Sequence, residues 1–201
     1  MKRNVIAIKN ILLTVSFAIM LLGNATVSAD NGELAPPKQV VVVCRNQAGV
    51  GSAAMEITTR IERHFHTPLA SILPVYSIVP ERAIKFPPAV KGKVDAAWVR
   101  ELAALNNADI AVVAELAEYR TYIRYSYRDD DAMQYSAVSV RYHIFDRSKK
   151  DIFSDRLSDI YEGSMSSNSS PEYLLNAILD RLEARLIKEI PFKPQEVLTN
   201  N

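Results

Sequence analysis

The stretch from Gln39 to Cys44, QVVVVC, decides the fold class of this chain. A continuous β-branched run is typical of a strand that is buried on both faces. The residues after it predict a helix from Ser52 to about His66, because three apolar residues recur at helical spacing: Ile57, Ile61 and Phe65. Ser52 is expected to cap this helix. A strand followed by a loop and a helix begins a crossover connection, so we expect an α/β domain.

A second strand and a second helix are predicted between residues 69 and 106. Pro74 interrupts the strand over 69–79, which favours an edge position because proline cannot donate a hydrogen bond to a neighbouring strand. Asp95 is expected to cap the helix, which has three apolar residues on one face: Trp98, Leu102 and Leu105. The long loop Pro80–Lys93 between them is either a functional or a covering segment.

Three strands and a final helix complete the predicted domain. The strands cover 110–128, 133–146 and 151–161, with turns between them, and a flexible Ser/Asn-rich link follows over 163–169. Ser170-Pro171-Glu172 predicts a helix start with Ser170 as the cap, after which apolar residues recur at helical spacing: Leu175, Ile178, Leu179, Leu182 and Leu186. We therefore expect one α/β domain over 39–191, in the order β-α-β-α-β-β-β-α, with a mixed sheet and helices packed on it.

The first 29 residues have the pattern of an export signal. A basic start precedes the apolar stretch Ile11–Leu22, and Val27-Ser28-Ala29 offers the small residues that a signal peptidase recognises, which predicts cleavage after Ala29. The apolar stretch is shorter than the roughly 20 residues that span a bilayer. Asp30, not a cysteine, follows the cut. We expect a periplasmic or extracellular protein with no membrane span and no lipid anchor in the mature chain.

The remaining 172 of the 201 residues have a nearly balanced charge. Three of the 24 basic residues belong to the signal, so 21 Lys and Arg stand against 23 Asp and Glu, a formal charge of −2. This balance gives no reason to expect a nucleic-acid partner. Cys44 is the only cysteine, which excludes an internal disulfide, and we expect it to be buried. The alternative is a catalytic thiol, which would need a basic partner, and only Arg45 lies nearby in the sequence. Residues 30–38 and 192–201 are expected to form a flexible lead-in and a C-terminal tail.

The loop before the first helix contains a glycine pattern found in dinucleotide-binding proteins. Gly49-Val50-Gly51-Ser52-Ala53-Ala54 matches G-x-G-x-x-A, but four residues separate it from the strand, and the acid that would bind the ribose is missing. We therefore expect a loop and a helix cap, with no cofactor. The alternative is a binding site for a small ligand or an anionic polymer, formed by Gly49, Gly51 and Ser52 at the helix N-terminus.

No arrangement of residues predicts catalysis or a metal site. His64 and His66 are two residues apart on a helix and so diverge, and His143 stands alone in a strand. Glu115 and Glu118 are three apart in a strand, so they are expected on opposite faces and cannot form an acid/base pair. A hydrolase remains a third hypothesis, which requires a nucleophile within hydrogen-bond reach of His143 or His64 in a pocket.

The most unusual surface is predicted on the strand that ends at residue 128. Period two places four residues on one face: Arg120, Tyr122, Arg124 and Arg128. A basic face with an aromatic residue can bind a partner protein, an anionic polymer or a carbohydrate. The other interpretation is a solvated face, on which these arginines form ion pairs with Asp155 and Asp159 of a neighbouring strand.

The segment from Asn107 to Tyr119, NADIAVVAELAEY, resembles an element of small bacterial envelope proteins. In those proteins, alanine and aspartate after a helix open a hydrophobic strand, and two more strands and an amphipathic helix follow. The pattern over 39–191 is similar to the N-terminal domain of the Tol translocation protein, the curli-secretion lipoproteins and the lipoprotein activators of penicillin-binding proteins. The relatives are anchored by a lipidated cysteine where this chain has Asp30, and many have glycine at the position of Ala114.

This resemblance implies a function without catalytic residues. The expected role is a non-enzymatic adaptor or assembly factor for an envelope or secretion complex, with an envelope protein as its partner. The expected binding surface combines the outer face of the long hairpins with the loop Pro80–Lys93. Fold analogy alone is a weak guide to function, so the role has to be argued from the site itself.

Overall fold

The computed structural model of this chain describes residues 36–66, 74–88, 94–126 and 131–191. Several sequence predictions lie outside these ranges: the export signal with its cut at Ala29, the C-terminal tail 192–201, and the position of Arg128. Within the ranges, no helix is long and apolar enough to cross a membrane.

A five-stranded mixed sheet forms the centre of the domain, as predicted. Its strands, in chain order, are β1 (Lys38–Asn46), β2 (Tyr76–Ile78), β3 (Ile110–Ser126), β4 (Asp131–Asp146) and β5 (Asp151–Ser164). Their spatial order is β2-β1-β3-β4-β5. β1 runs parallel to β2 and β3, whereas the pairs β3–β4 and β4–β5 are antiparallel hairpins. β2 is an edge strand, which fits Pro74 just before it.

Three helices pack on the sheet and complete the predicted β-α-β-α-β-β-β-α order. They are α1 (Gly51–Phe65), α2 (Ala96–Leu105) and α3 (Pro171–Glu189). α1 and α3 cover one face, where their buried aliphatic side chains meet those of β1, β3 and β4. α2 covers part of the other face and forms a second core with β1, β3 and Phe145 of β4. Each fully buried Leu or Ile side chain contributes about 1.5–3 kcal/mol to folding.

The helix caps confirm two predictions and correct one. The side chain of Asp95 accepts a hydrogen bond from the Trp98 amide at 2.8 Å, and that of Ser170 accepts one from the Tyr173 amide at 3.2 Å. Ser52 is not a cap, because α1 begins one residue earlier, at Gly51. The N-cap residue of α1 is Val50, and its side chain makes no capping hydrogen bond.

The structure differs from two other sequence predictions, the apolar face of α2 and the link after β5. Leu105 is 41% exposed, and the buried face of α2 consists instead of Trp98, Val99, Leu102 and Ala103. The orientation of the helix on the sheet, which spacing alone cannot give, turns Leu105 outward. The expected link over 163–169 is also shorter than predicted, since β5 continues to Ser164 and a short 3₁₀ turn occupies Ser167–Ser169.

A β-bulge at Ala117 changes which residues of β3 share a face. Leu116 lies opposite Val140 and Glu118 lies opposite Ser139, so Ala117 is an extra residue without its own partner in β4. An extra residue reverses the alternation of every side chain after it. The face that carries odd residues before the bulge therefore carries even residues after it.

The bulge overturns the prediction that Glu115 and Glu118 point to opposite faces. Glu115 is opposite Arg141 and Glu118 is opposite Ser139, and these two partners are two residues apart in β4. Both carboxylates therefore lie on the face that α2 partly covers. Their burial differs, since Glu115 is 2% exposed whereas the Glu118 side chain is 30% exposed.

Candidate binding face

From the level of Glu115 outward, one face of β3, β4 and β5 carries polar and aromatic side chains that no described helix or strand covers. α2 packs on this face only at its other end, over Val41, Val43, Ala111, Val113 and Phe145. We call the uncovered part the Arg–Tyr face and define it by six side chains: Arg120, Tyr122, Arg124, Tyr135, Arg141 and Arg156. The strand registers place all six on the same side of the sheet.

Two stacked tyrosines form the centre of the Arg–Tyr face. Tyr122 of β3 and Tyr135 of β4 are direct cross-strand partners, with ring centroids 4.7 Å apart and an interplanar angle of 23°. The guanidinium carbon of Arg124 lies 5.3 Å from the Tyr122 ring centroid, and that of Arg120 lies 5.6 Å from the Tyr135 centroid. Both distances fall within the range of cation–π attraction. The four side chains therefore form a continuous aromatic and cationic row.

Positive charge exceeds negative charge on this face. Arg120 forms an ion pair with Glu118, with 2.6 Å between Nε and Oε1, and the Glu118 carboxylate raises the pKa of Arg120. Arg141 and Arg156 lie directly opposite each other on β4 and β5, and neither forms an ion pair with a described residue. Arg156 Nε donates to Ser139 Oγ at 2.7 Å, which fixes the direction of its side chain. Like charges placed opposite each other are unfavourable. Glu115, the cross-strand partner of Arg141 on β3, is the one described carboxylate directly opposite this pair, and it is already bound by Gln47 and lies near Arg45.

The predicted arginine positions agree with the structure, but the predicted ion pairs do not. Arg120 and Arg124 are exposed, as expected from the alternation of the strand. Asp155 and Asp159 belong to the opposite face, where Asp159 accepts a hydrogen bond from Arg181 of α3 at 2.7 Å. These two acids therefore cannot neutralise the Arg–Tyr face.

The sequence did not predict the contributions of Tyr135, Arg141 and Arg156. Their own alternation in β4 and β5 places them on one face of each strand. Whether that face is the one that carries Arg120 depends on the register of the hairpins and on the bulge. Neither the register nor the bulge follows from the spacing of residues within one strand. The tyrosine stack and the arginine pair are therefore findings of the structure.

The opposite face of the same strands is closed by α3. Tyr119, whose side chain points away from the Arg–Tyr face, donates a hydrogen bond from its hydroxyl to Glu172 Oε1 at 2.9 Å. Burial, together with the adjacent Glu172, raises the pKa of Tyr119 to about 12. This contact connects β3 to the first turn of α3, so α3 holds the β3–β4 hairpin on the face opposite the Arg–Tyr face.

The glycine loop before α1 is divided between two cavities. Gly49 has φ +78°, a conformation that favours glycine, and the Val50 amide donates to Asn46 Oδ1 at 3.0 Å. Gly51 lines a cavity of about 390 Å³ beside β1, whereas Ser52 lines another of about 380 Å³ between α1 and α3. Gly51 and Ser52 thus line different cavities, and one amide at the start of the helix is already bound by its own chain.

The histidines form no metal site among the described residues. His64 Nε2 lies 3.1 Å from the Ile190 carbonyl oxygen. His143 Nδ1 lies 2.8 Å from Ser154 Oγ, a pair of the kind that the hydrolase hypothesis requires. However, His143 Nε2 is buried without a partner among the described residues, so no carboxylate orients the ring. Burial also lowers the pKa of His143, which makes it a weaker base.

Cys44 is partly buried against α1 and β3. Burial raises the pKa of its thiol to about 11, more than the opposing hydrogen bonds from Leu116 and Thr58 lower it. The thiol is therefore protonated at neutral pH, and a protonated thiol is a poor nucleophile.

Comparisons with known proteins give only a weak similarity of fold. No protein-family model and no curated protein matches the sequence. Among solved structures, a hypothetical protein from Chlamydia trachomatis has 17% identity and a TM-score of 0.40, with 73% of this chain and 96% of that chain covered. A lipoprotein from Neisseria meningitidis has 15% identity and a TM-score of 0.39, with 76% and 99% covered. A PelC dodecamer from Paraburkholderia phytofirmans has 15% identity and a TM-score of 0.40, with 78% and 89% covered. The finer resemblance to the Tol and curli proteins stays a prediction.

Proposed function

We propose that this protein is a non-enzymatic adaptor or assembly factor of the bacterial envelope, which binds a protein partner through the Arg–Tyr face. The observation that carries the proposal is the stacked pair Tyr122–Tyr135 with Arg124 and Arg120 against its rings. Tyrosine and arginine are among the residue types that dominate the binding energy of protein interfaces. The predicted export signal supports a location in the envelope space.

The charge of the face favours an acidic partner surface. Among the described residues on this side of the sheet, five arginines, including Arg45, stand against Glu115, Glu118 and Glu162. Glu115 lies 3.9 Å from Arg45, and Glu118 is paired with Arg120. No described carboxylate forms an ion pair with Arg141 or Arg156, and the terminal nitrogens of both guanidinium groups could bind a partner's carboxylate in a bidentate manner. An acidic partner would also relieve the repulsion between these two arginines.

In-cell crosslinking of the full chain tests this proposal. A photoreactive residue at Ser158, exposed on the same face of β5, would capture the partner, which mass spectrometry then identifies. The triple variant Arg120→Ala, Tyr122→Ala, Arg124→Ala is expected to lower capture at least about tenfold, because interface tyrosines and arginines each contribute about 2 kcal/mol when they are hot spots.

A composition-matched triple provides the control. Arg63→Ala, Tyr173→Ala, Arg100→Ala removes the same residue types from exposed positions on the three helices. This control is expected to capture the partner as the unchanged protein does. Equal capture by both triples would refute the proposed interface.

One observation favours a second candidate, the binding of an anionic polymer. Arg141 opposite Arg156 and the stacked tyrosines could contact successive charged units of an extended chain. The test measures retention of the purified protein on an immobilised acidic polysaccharide. Retention that the Arg120, Tyr122, Arg124 triple variant loses and the control triple variant keeps would favour polymer binding over a protein partner. Crosslinking that yields a specific protein from the same face would support the adaptor.

A further inference from the structure

The sheet edge beside β1 is only partly covered by β2. The ladder between these strands ends at the pair Val40–Ile78, after which the Val79 amide donates to the Val40 carbonyl at 2.8 Å. β1 continues for six more residues, to Asn46. Among the described residues, no strand lies beside this second part of β1 on the β2 side.

The backbone groups of Val42 and Cys44 point toward this open edge. Lys38 donates its amide to the Val75 carbonyl on the β2 side, whereas Gln39 accepts at its carbonyl from the Asp109 amide on the β3 side. Backbone groups of successive residues point to opposite sides of a strand, so the even-numbered Val42 and Cys44 face the same side as Lys38. No hydrogen bond with a described residue occupies their amides or carbonyls on this side.

A cavity of about 390 Å³ lies against this edge. Met55 and Thr58 of α1 form one wall, and Phe86 forms part of the other. The side chains of Met55 and Phe86 are 68% and 58% exposed, so two large apolar groups line the opening. An open strand edge between apolar walls is the arrangement that binds an added strand in β-augmentation.

The charged residues that line the cavity are both acidic. Glu62 of α1 and Glu81 of the short 3₁₀ turn Glu81–Ala83 after β2 contribute carboxylates, and the described lining contains no Lys or Arg. The site therefore differs in charge from the Arg–Tyr face, and the two surfaces suit different partners. A basic residue in the occupant would complement these carboxylates.

We propose that this edge of β1 binds an extended, basic segment of a partner protein, which continues the sheet as a short strand. The occupant's backbone pairs with Val42 and Cys44, an apolar side chain lies between Met55 and Phe86, and a Lys or Arg reaches Glu62 and Glu81. This site is independent of the proposed function of the Arg–Tyr face. With both surfaces occupied, one domain would hold an acidic and a basic partner at once.

The probe for this site is the labelled hexapeptide acetyl-Lys-Val-Lys-Val-Lys-Val-amide, titrated into the full chain by fluorescence anisotropy. Proton–nitrogen spectra should show the largest shift changes at the Val42 and Cys44 amides, and smaller ones at Val41 and Val43, whose backbone groups face β3. Two further peptides are N-methylated at every valine or at every lysine. One of them is expected to bind at least about tenfold more weakly, because methylation removes the amides that pair with the edge.

Two variants locate the binding. Thr58→Trp should fill the cavity and abolish binding, and Phe86→Ala, an exposed change that leaves the core intact, should weaken it at least about threefold. Met133→Trp on the Arg–Tyr face is the control and should bind as the unchanged protein does. The proposal is overturned by no binding at millimolar peptide, by the largest shift changes elsewhere, or by unchanged affinity in Phe86→Ala.

Discussion

In the described part of the chain, helices cover both faces of the half of the sheet around Val41 and Val113, but only one face of the half beyond Ala117. We call these the covered half and the open half. β3 runs through both, and its sequence changes accordingly from the apolar run 110–114 to the alternating run 119–125. The comparison shows that one strand can serve two purposes when the covering helix is shorter than the strand.

The boundary between the halves coincides with the bulge. Glu115, just before it, is buried and accepts a hydrogen bond from Gln47 Nε2 at 2.7 Å, with Arg45 at 3.9 Å. Glu118, just after it, is partly exposed and pairs with Arg120. Without the extra residue, Arg120 and Tyr122 would point toward α3, and the Arg–Tyr face could not form.

The largest expected effect comes from a change in the covered half. Leu102→Ala should lower the free energy of unfolding by about 3 kcal/mol, because it leaves a cavity under α2, where Leu102 is fully buried. Leu105→Ala in the same helix is the matched control and should cost less than about 1 kcal/mol, since that side chain is 41% exposed. Urea unfolding measures both. Similar losses would show that α2 does not cover the sheet as described.

A smaller effect is expected at the helix starts. Asp95→Ala should lower the free energy of unfolding by about 1 kcal/mol, because the Trp98 amide at the start of α2 loses its acceptor. Ser52→Ala should change it by less than about 0.5 kcal/mol, since Ser52 caps nothing. A loss at Ser52 as large as that at Asp95 would contradict the start of α1 at Gly51. Thermal unfolding followed by circular dichroism distinguishes the two outcomes.

In the open half, the tyrosine stack should contribute modestly to stability. A double-mutant cycle of Tyr122→Ala and Tyr135→Ala is expected to give a coupling energy of about 0.5–1.5 kcal/mol, the range for stacked aromatic pairs. The cycle of Tyr122→Ala with Tyr173→Ala, on α3, should give no coupling. If the first cycle also gave none, the two rings would not be stacked in solution.

The smallest effect concerns pH. Burial lowers the pKa of His143 below its ordinary value of 6.5, so the unfolded chain binds this proton more readily than the native one. The contribution of His143 to stability is therefore fully present above pH 6.5 and is lost as the pH falls through the lowered pKa. Urea unfolding at several pH values should show a shallower acid dependence for His143→Asn than for the unchanged protein. If both proteins lost stability equally as the pH falls, the His143 ring would be exposed to solvent and not buried.

Much of the fold could be predicted because it depends on local patterns. The element order, the edge position of β2 and the caps Asp95 and Ser170 all follow from apolar spacing, proline and side-chain chemistry within a few residues. The errors arose where distant parts meet. The exposure of Leu105 depends on the angle at which α2 packs on the sheet. The faces to which Glu115 and Glu118 point depend on a bulge that exists only because β3 pairs with β4.

The candidate site was predicted in part. Arg120, Tyr122 and Arg124 were found by alternation within one strand, which is a local property. Their partners Tyr135, Arg141 and Arg156 depend on hairpin register, and the open edge at Val42 and Cys44 depends on where β2 ends. Neither register nor strand length is encoded by the spacing of a single segment.

The sequence by itself determined which segments of this chain form strands and helices, because each must bury an apolar face of fixed period. It also determined that Arg120, Tyr122 and Arg124 share one side of their strand. Only the tertiary structure decided which side that is, what lies beside it and which edge stays open. Those outcomes depend on contacts between residues far apart in the chain, where helix length, strand register and one extra residue in β3 set the burial of every neighbour.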